Sequence, residues 1–244
     1  MSDEARLNQL GQPIGPALPG WQPPAPPARR RLKGRFCLVE PLDVAKHARA
    51  LFDANSQDRE HRMWTYLAYG PFAQFDEYER WLTERAASTD PLFQAFVDRK
   101  SGSAAGVGTF MRIDPPAGTI EVGHIAMSPV LQRSPAATEA MYLMMRHAFE
   151  LGYRRYEWKC DALNAKSRRA AERLGFVFEG VFRHAAVYKG RSRDTAWYSV
   201  IESEWPVLRE AFERWLDRDN FDASGLQRSS LGDIRAALRP HRPR

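Results

Sequence analysis

The stretch over residues 119–182, TIEVGHIAMSPVLQRSPAATEAMYLMMRHAFELGYRRYEWKCDALNAKSRRAAERLGFVFEGVF, leaves few architectures open. A β-branched run closes at Ser128-Pro129 and a polar loop leads into a helix over 135–151. A strand over 153–160 follows, and then a short helix that stops at Gly175. Strand, crossover helix and strand set two parallel strands side by side, and such crossovers are almost always right-handed. The same geometry aims the N-terminus of the first helix, with its unpaired N–H groups and positive dipole end, at the mouth between the strands. An anion can be held there.

The flanking segments extend this unit in both directions. Residues 1–34 carry Pro23, Pro24, Pro26 and Pro27 and then Arg29-Arg30-Arg31, which predicts an extended, proline-rich arm. Within it Ile14, Leu18 and Trp21 offer apolar contacts that would lay the arm along the domain; a flexible leader is the plainer alternative. Strands are expected over 35–40, 92–98, 107–113, 181–188 and 195–201, the last two as a hairpin about Lys189-Gly190. Helical spacing is expected over 42–55, 59–69, 76–87 and 204–216, and the last 25 or so residues read as loosely held. The fold class is α/β: a central mixed sheet with helices on both faces. The expected division is a proline-rich arm (1–34), a central domain (35–203) and a C-terminal helix with a basic tail (204–244).

Charge and cysteine content narrow the function classes. The net charge of +6 lies mostly at the ends: residues 1–35 hold six Lys/Arg against two acids, and residues 220–244 five Arg against two Asp. The middle is close to neutral, so the basic balance describes tails, and no specific nucleic-acid binding is expected. Cys37 and Cys160 make neither a disulfide framework nor a zinc set, and the six histidines show no metal-ligand spacing. No apolar run is long enough to span a membrane and no signal peptide is present, so the expected setting is cytoplasmic.

Chemistry concentrates in two places. In VLQRSPAA (130–137), Ser134 is a favoured N-cap and Pro135 suits the first helical position, which leaves the N–H groups of Ala136, Ala137 and Thr138 facing outward past small side chains. Arg133 adds positive charge. An ordinary capped helix is the competing explanation. The second place is NAKS (164–167), closing in Leu174-Gly175-Phe176, where Asn164 can serve simply as a cap and Gly175 as a helix terminator.

Taken together, GHIAMSP…QRSPAATEAMYLMMRHAF and WKCDALNAKSRRAAERLGFVFEGVFR resemble the central motifs of the GNAT superfamily of acyl-CoA-dependent N-acyltransferases, and most closely its ribosomal-protein N-terminal acetyltransferase branch. The resemblance implies an acetyl-CoA co-substrate and no metal. Its pyrophosphate loop falls on Gln132, Arg133, Ser134, Ala136, Ala137 and Thr138, and the backbone of Ile125, Ala126 and Met127 would pair with pantetheine. Asn164 would contact the cofactor arm, and Ser167 would protonate the leaving thiolate. Arg168, with Lys166, Arg169 and Arg173, is a candidate for the CoA phosphates, against the commoner explanation of a solvated basic face. The pattern is broken where Arg133 and Pro135 replace glycines: Pro135 removes one donor, at a cost of roughly 0.5–1.5 kcal/mol.

The acceptor amine needs a base. Glu121 is the first candidate and His124 the second. Strict alternation turns them to opposite faces, and Gly123 between them permits a bulge that would change this. Tyr66, Tyr69 and Tyr198 are candidates to line the acceptor pocket, and a backbone N–H near Met127 would polarise the thioester carbonyl. The leading expectation is direct acetyl transfer to a protein N-terminus or a small amine, by a chain that could form a homodimer. Three other readings compete: acylation of a small toxic metabolite for self-protection, a non-catalytic acyl-CoA-binding module, favoured by Pro135, and recruitment to RNA or ribosomes through the basic tails.

Overall fold

The computed structural model describes residues 6–238, which pair their strand-forming runs into one eight-stranded sheet. Its strands are β1 (Leu32–Lys33), β2 (Cys37–Pro41), β3 (Leu92–Asp98), β4 (Ala104–Asp114), β5 (Thr119–Met127), β6 (Arg155–Asp161), β7 (Val177–Tyr188) and β8 (Arg191–Ile201). The helices are α1 (Val44–Asn55), α2 (Phe75–Ala87), α3 (Pro135–Glu150), α4 (Ala165–Leu174), α5 (Trp205–Trp215) and α6 (Leu231–Leu238). The sheet order is β1-β2-β3-β4-β5-β6-β8-β7. Neighbours are antiparallel except β5 and β6, which are parallel and joined by α3. The mixed α/β sheet expected from the sequence is therefore the observed one.

One face packs against α3, α4, α5 and α6 around Phe110, Tyr156, Tyr198 and Phe212. The other packs against α1 and α2 around Leu51, Leu82 and Phe93. α3 is the central helix: Ala140, Met144, Met145 and Ala148 are wholly buried, and truncating either methionine to Ala would cost about 2–5 kcal/mol. One of its acids is buried for a specific reason. Glu139 accepts from the backbone N–H groups of Arg35, Phe36 and Cys37 at 2.7, 2.5 and 2.7 Å, which ties the entry of β2 to the helix. Gly34 is required beside it, because a Cβ there would strike the carboxylate.

Three expectations are corrected. Residues 59–69 are not helical beyond a single 3-10 turn at Arg62–Trp64. His61 enters it with φ 56° and Gly70 leaves it with φ 66°, and both left-handed residues break a helix. The C-terminal segment is not loosely held over its described part. After a 3-10 turn at Arg218–Asn220, the buried Asn220 donates to the carbonyls of Trp215 and Ser229 and accepts from the Ser229 N–H. This seats α6, whose Leu231 is buried; residues 239–244 of the expected basic tail lie outside the described residues. In the arm, Pro24 and Pro27 are buried and Trp21 sits 3.1 Å from the position of a Cβ on Gly118, whereas Ile14 and Leu18 are exposed.

Candidate active site

The site begins where two parallel strands part. β5 pairs with β6 only from Thr119↔Arg155 to Val122↔Trp158. Beyond that point β5 stays with β4 and β6 with β8, so the edge of β5 from Gly123 to Met127 faces a gap without a β6 partner. The divergence coincides with a bulge: Thr109 faces Gly123 and Val107 faces Ala126, so Gly108 alone opposes His124 and Ile125. His124, not Gly123, takes the left-handed conformation, with φ 48°. A Cβ on Gly123 would meet the Met111 sulfur, so a larger residue there would have to displace that side chain. A left-handed non-glycine residue costs about 1–2 kcal/mol. Ring packing compensates: the His124 ring stacks on Tyr69 at 5.6 Å and lies 5.3 Å from Phe93.

The bulge brings His124 and Glu121 to one face. Gly123 shares the face of Phe93 through the Phe93↔Thr109↔Gly123 register, and Glu121 precedes it by two residues. His124 reaches the same Phe93 ring only because the extra residue shifts its phase. Burial, with the nearby charges of Arg85 and Arg112, pushes His124 down to about 4, so it is neutral at physiological pH. Glu121 is buried and accepts from Arg112 at 2.6 Å and from Lys159 at 2.8 Å. Lys159, itself buried, also pairs with Glu157 at 2.7 Å and lies 3.7 Å over the Trp197 ring. Arg155 continues the chain to Glu157 and Glu179. Burial alone would raise Glu157, but Arg155 and Lys159 outweigh it and hold the carboxyl below its usual range. Three acids and three bases thus balance along this wall.

The opposite face contributes the second half of the site. Asn164 caps α4, its Oδ1 accepting from the Ser167 N–H at 3.1 Å. The Trp158 indole N–H donates to Ser167 Oγ at 3.0 Å. Indole nitrogen can only donate, so the Ser167 hydroxyl accepts from it and keeps its own proton for another partner. The gap therefore lies between a hydroxyl on the α4 side and a carboxylate and imidazole on the α1–α2 side. On the latter side Tyr66 closes the mouth, its hydroxyl donating to the Leu163 carbonyl at 3.2 Å.

The loop over 132–138 leaves fewer backbone donors free than expected. Arg133 has φ 61°, the conformation a glycine would take without strain. Ser134 caps α3 through its Oγ, which engages the Ala137 N–H at 3.1 Å, and its carbonyl accepts from Thr138 at 3.4 Å. Of the three helix amides expected to face outward, Ala136 alone carries no protein hydrogen bond among the described residues; the Arg133 N–H carries none either. Gln132 turns back, its amide donating to the Met127 carbonyl at 2.7 Å.

Other candidates are drawn elsewhere. Arg168 donates to the Tyr198 hydroxyl at 3.0 Å and Arg173 to Thr138 Oγ1 at 3.1 Å, whereas Lys166 and Arg169 are exposed on α4. Tyr198 is fully buried on the α4 side, whereas Tyr69 stacks on His124 and the Tyr66 hydroxyl reaches the Leu163 carbonyl on the other side. Burial raises the Cys160 thiol, with the Ser167 hydroxyl opposing as a hydrogen-bond partner, so it is no ready nucleophile. Among the described residues no three His, Cys, Asp or Glu side chains form a metal-holding group, and no helix is long and apolar enough to cross a membrane. Reasoning from the sequence missed Arg112, Lys159 and Trp158. A signal existed for two of them: in RYEWKCD the charged residues alternate with the aromatic ones.

Comparison with known proteins bears on the fold. Residues 35–177 match the model of an acetyltransferase (GNAT) domain. A GCN5-related N-acetyltransferase structure from Brucella melitensis is 48% identical, with TM-score 0.88, over 90% of this chain and 100% of that one. A GNAT-family acetyltransferase structure from Chromobacterium violaceum is 39% identical, with TM-score 0.74, over 80% and 98% of the two chains. A more distant likeness, 21% identical with TM-score 0.61 over 69% of this chain and 93% of that one, is the Microcin C7 self immunity acetyltransferase MccE in complex with acetyl-CoA and AMP; it shares the fold. No functionally curated protein matches the chain.

Proposed function

The chain belongs to the GNAT acetyltransferase family, and from that premise we propose that it transfers an acetyl group from acetyl-CoA directly to a primary amine. One observation carries the proposal: the unpaired edge of β5 from Gly123 to Met127 opens between Ser167 on one face and Glu121 with His124 on the other. Acetyl-CoA would supply an activated thioester carbonyl. The backbone of Ile125, Ala126 and Met127 would hold its pantetheine arm, and the N–H groups of Arg133 and Ala136, with the Arg133 charge, its pyrophosphate. Asn164 positions Ser167, and an amide near Met127 would polarise the carbonyl oxygen.

Glu121 is the proposed base. To serve, one of its two cations must give way, and Arg112, with 58% of its side chain exposed, is the partner able to move. His124, neutral at physiological pH, is the second route for the proton. As the new C–N bond forms and the C–S bond breaks, the amine proton passes to this wall and on to solvent, while Ser167 gives its proton to the departing thiolate and regains one from solvent. No covalent acyl-enzyme is needed.

The motifs quoted above favour the ribosomal-protein N-terminal acetyltransferase branch, with a protein N-terminus or a small amine as acceptor. We further propose a cytoplasmic setting, a homodimer, and the division into arm, catalytic domain over 35–203 and C-terminal segment. A non-catalytic acyl-CoA-binding module is the alternative, favoured by the loss of one donor to Pro135 and of another to the Ser134 cap. Titration calorimetry with acetyl-CoA, followed by release of free CoA in an amine panel, decides between them. Binding with turnover supports the enzyme; binding without turnover of any amine supports the module; absence of binding at millimolar concentration rules out both.

A further inference from the structure

The hairpin of β7 and β8 carries a charge pattern that the transfer chemistry does not use. Residues 183–193, RHAAVYKGRSR, hold four Arg/Lys and no acid. Arg183, Lys189 and Arg191 are exposed. Nearby, Glu121, Glu157 and Glu179 are paired with Arg112, Lys159 and Arg155, while Asp161 accepts from the Tyr188 hydroxyl and Asp194, next along β8, from the His184 N–H. With Asp194 counted, residues 183–194 hold four Arg/Lys against one acid, a net +3, and among the described residues none of the four basic side chains forms an ion pair.

The hairpin borders the acceptor face by two routes. Phe182 stacks on Trp197 at 4.4 Å, Lys159 lies over that Trp197 ring at 3.7 Å, and Lys159 pairs with Glu121. At the tip, Lys189 donates to the Trp64 carbonyl at 2.8 Å, against the loop that carries Tyr66 and Tyr69, and Tyr188 donates to Asp161 at the end of β6. Apolar surface accompanies the charge: Phe182 is 55% exposed and Val187 79%. A strand-length surface that is both basic and apolar suits a polypeptide better than a small metabolite, and it repels polyamines and aminoglycosides.

We infer that the acceptor is the amino terminus of an acidic polypeptide, whose carboxylates lie along Arg183, Lys189, Arg191 and Arg193 while its terminal amine reaches Glu121. This rests on the acetyltransferase reading above and names the substrate class for the same site. The charges act on encounter and binding of the acceptor, so they should move its KM and its salt dependence, leaving the acetyl-CoA side untouched.

The test uses the full chain with acetyl-CoA and three acceptors at low and high salt: two octapeptides with the same first two residues, one continuing in Asp/Glu and the other in Lys/Arg, and spermidine. The acidic peptide should exceed the basic one by about tenfold or more in kcat/KM at low ionic strength, with the margin shrinking at 0.5 M salt, roughly as screening of exposed charges requires. In the double variant Arg183→Glu with Arg191→Glu, both sites exposed, the margin should vanish while the KM for acetyl-CoA stays unchanged. Equal or better use of the basic peptide or spermidine overturns the inference and leaves the acetyltransferase intact. So does a variant that raises the KM for acetyl-CoA instead, or acetyl-CoA binding with no transfer to the acidic peptide. Absence of acetyl-CoA binding overturns the acetyltransferase reading itself.

Discussion

The Trp158 indole donates to the hydroxyl oxygen of Ser167 at 3.0 Å, an arrangement that turns the serine proton away from the indole. If Ser167 is the acid that meets the leaving thiolate, Ser167→Ala should lower kcat by about 10²–10⁴-fold with little change in KM for acetyl-CoA. Trp158→Phe, which keeps the ring but drops the donor, should cost less than removing the hydroxyl. Steady-state kinetics following CoA release would measure both, and an unchanged kcat in Ser167→Ala would remove the serine from the mechanism.

Lys159 is shared by two buried carboxylates. Replacing it with Met leaves Glu121 and Glu157 without their common cation, and breaking a buried pair from one side costs about 3–5 kcal/mol. For a chain of this size that is a fall in Tm of roughly 6–20 °C. Adding Glu157→Gln to Lys159→Met should recover part of the loss, because one uncompensated charge is then gone. Thermal melts of the three proteins check this.

His124 links stability to pH. Its unfolded value is near 6.5 and its folded value about 4, so the unfolded chain binds the proton more readily between those limits. Its contribution is full above pH 6.5 and is lost as pH falls toward 4. His124→Asn tolerates the left-handed backbone without the ionisable ring, and its Tm should fall less steeply over that window. What slope remains there belongs in part to His47 and His147, which burial also lowers.

Pro135 lowers the number of donors in the anion loop. Pro135→Ala returns one backbone N–H, a gain of about 0.5–1.5 kcal/mol, or roughly 2- to 10-fold in the affinity for CoA. Calorimetry with CoA reads it directly. An unchanged or weaker Kd would mean that this amide does not face the phosphates.

Much of this was open to reading along the chain. Ser134-Pro135 announced the start of α3, Asn164 the cap of α4 and Gly175 its left-handed end, because capping depends on neighbours three or four residues away. Residues 59–69 misled, since apolar residues at helical spacing there are gathered by an aromatic cluster around Trp64 instead of by a helix. The C-terminal segment read as loose because its anchors, the buried Asn220 and Leu231 and the Trp215–Gln227 hydrogen bond, follow no periodic pattern.

What the sequence determined by itself was local: the strand–helix–strand unit, its caps, and the family motif on it. Tertiary structure decided the chemistry of the site. Whether Glu121 is free or saturated depends on Arg112 from one neighbouring strand and Lys159 from the other, and no spacing along the chain encodes that meeting. Whether His124 joins Glu121 depends on one extra residue opposite Gly108, since a bulge is a mismatch between two strands and belongs to neither alone.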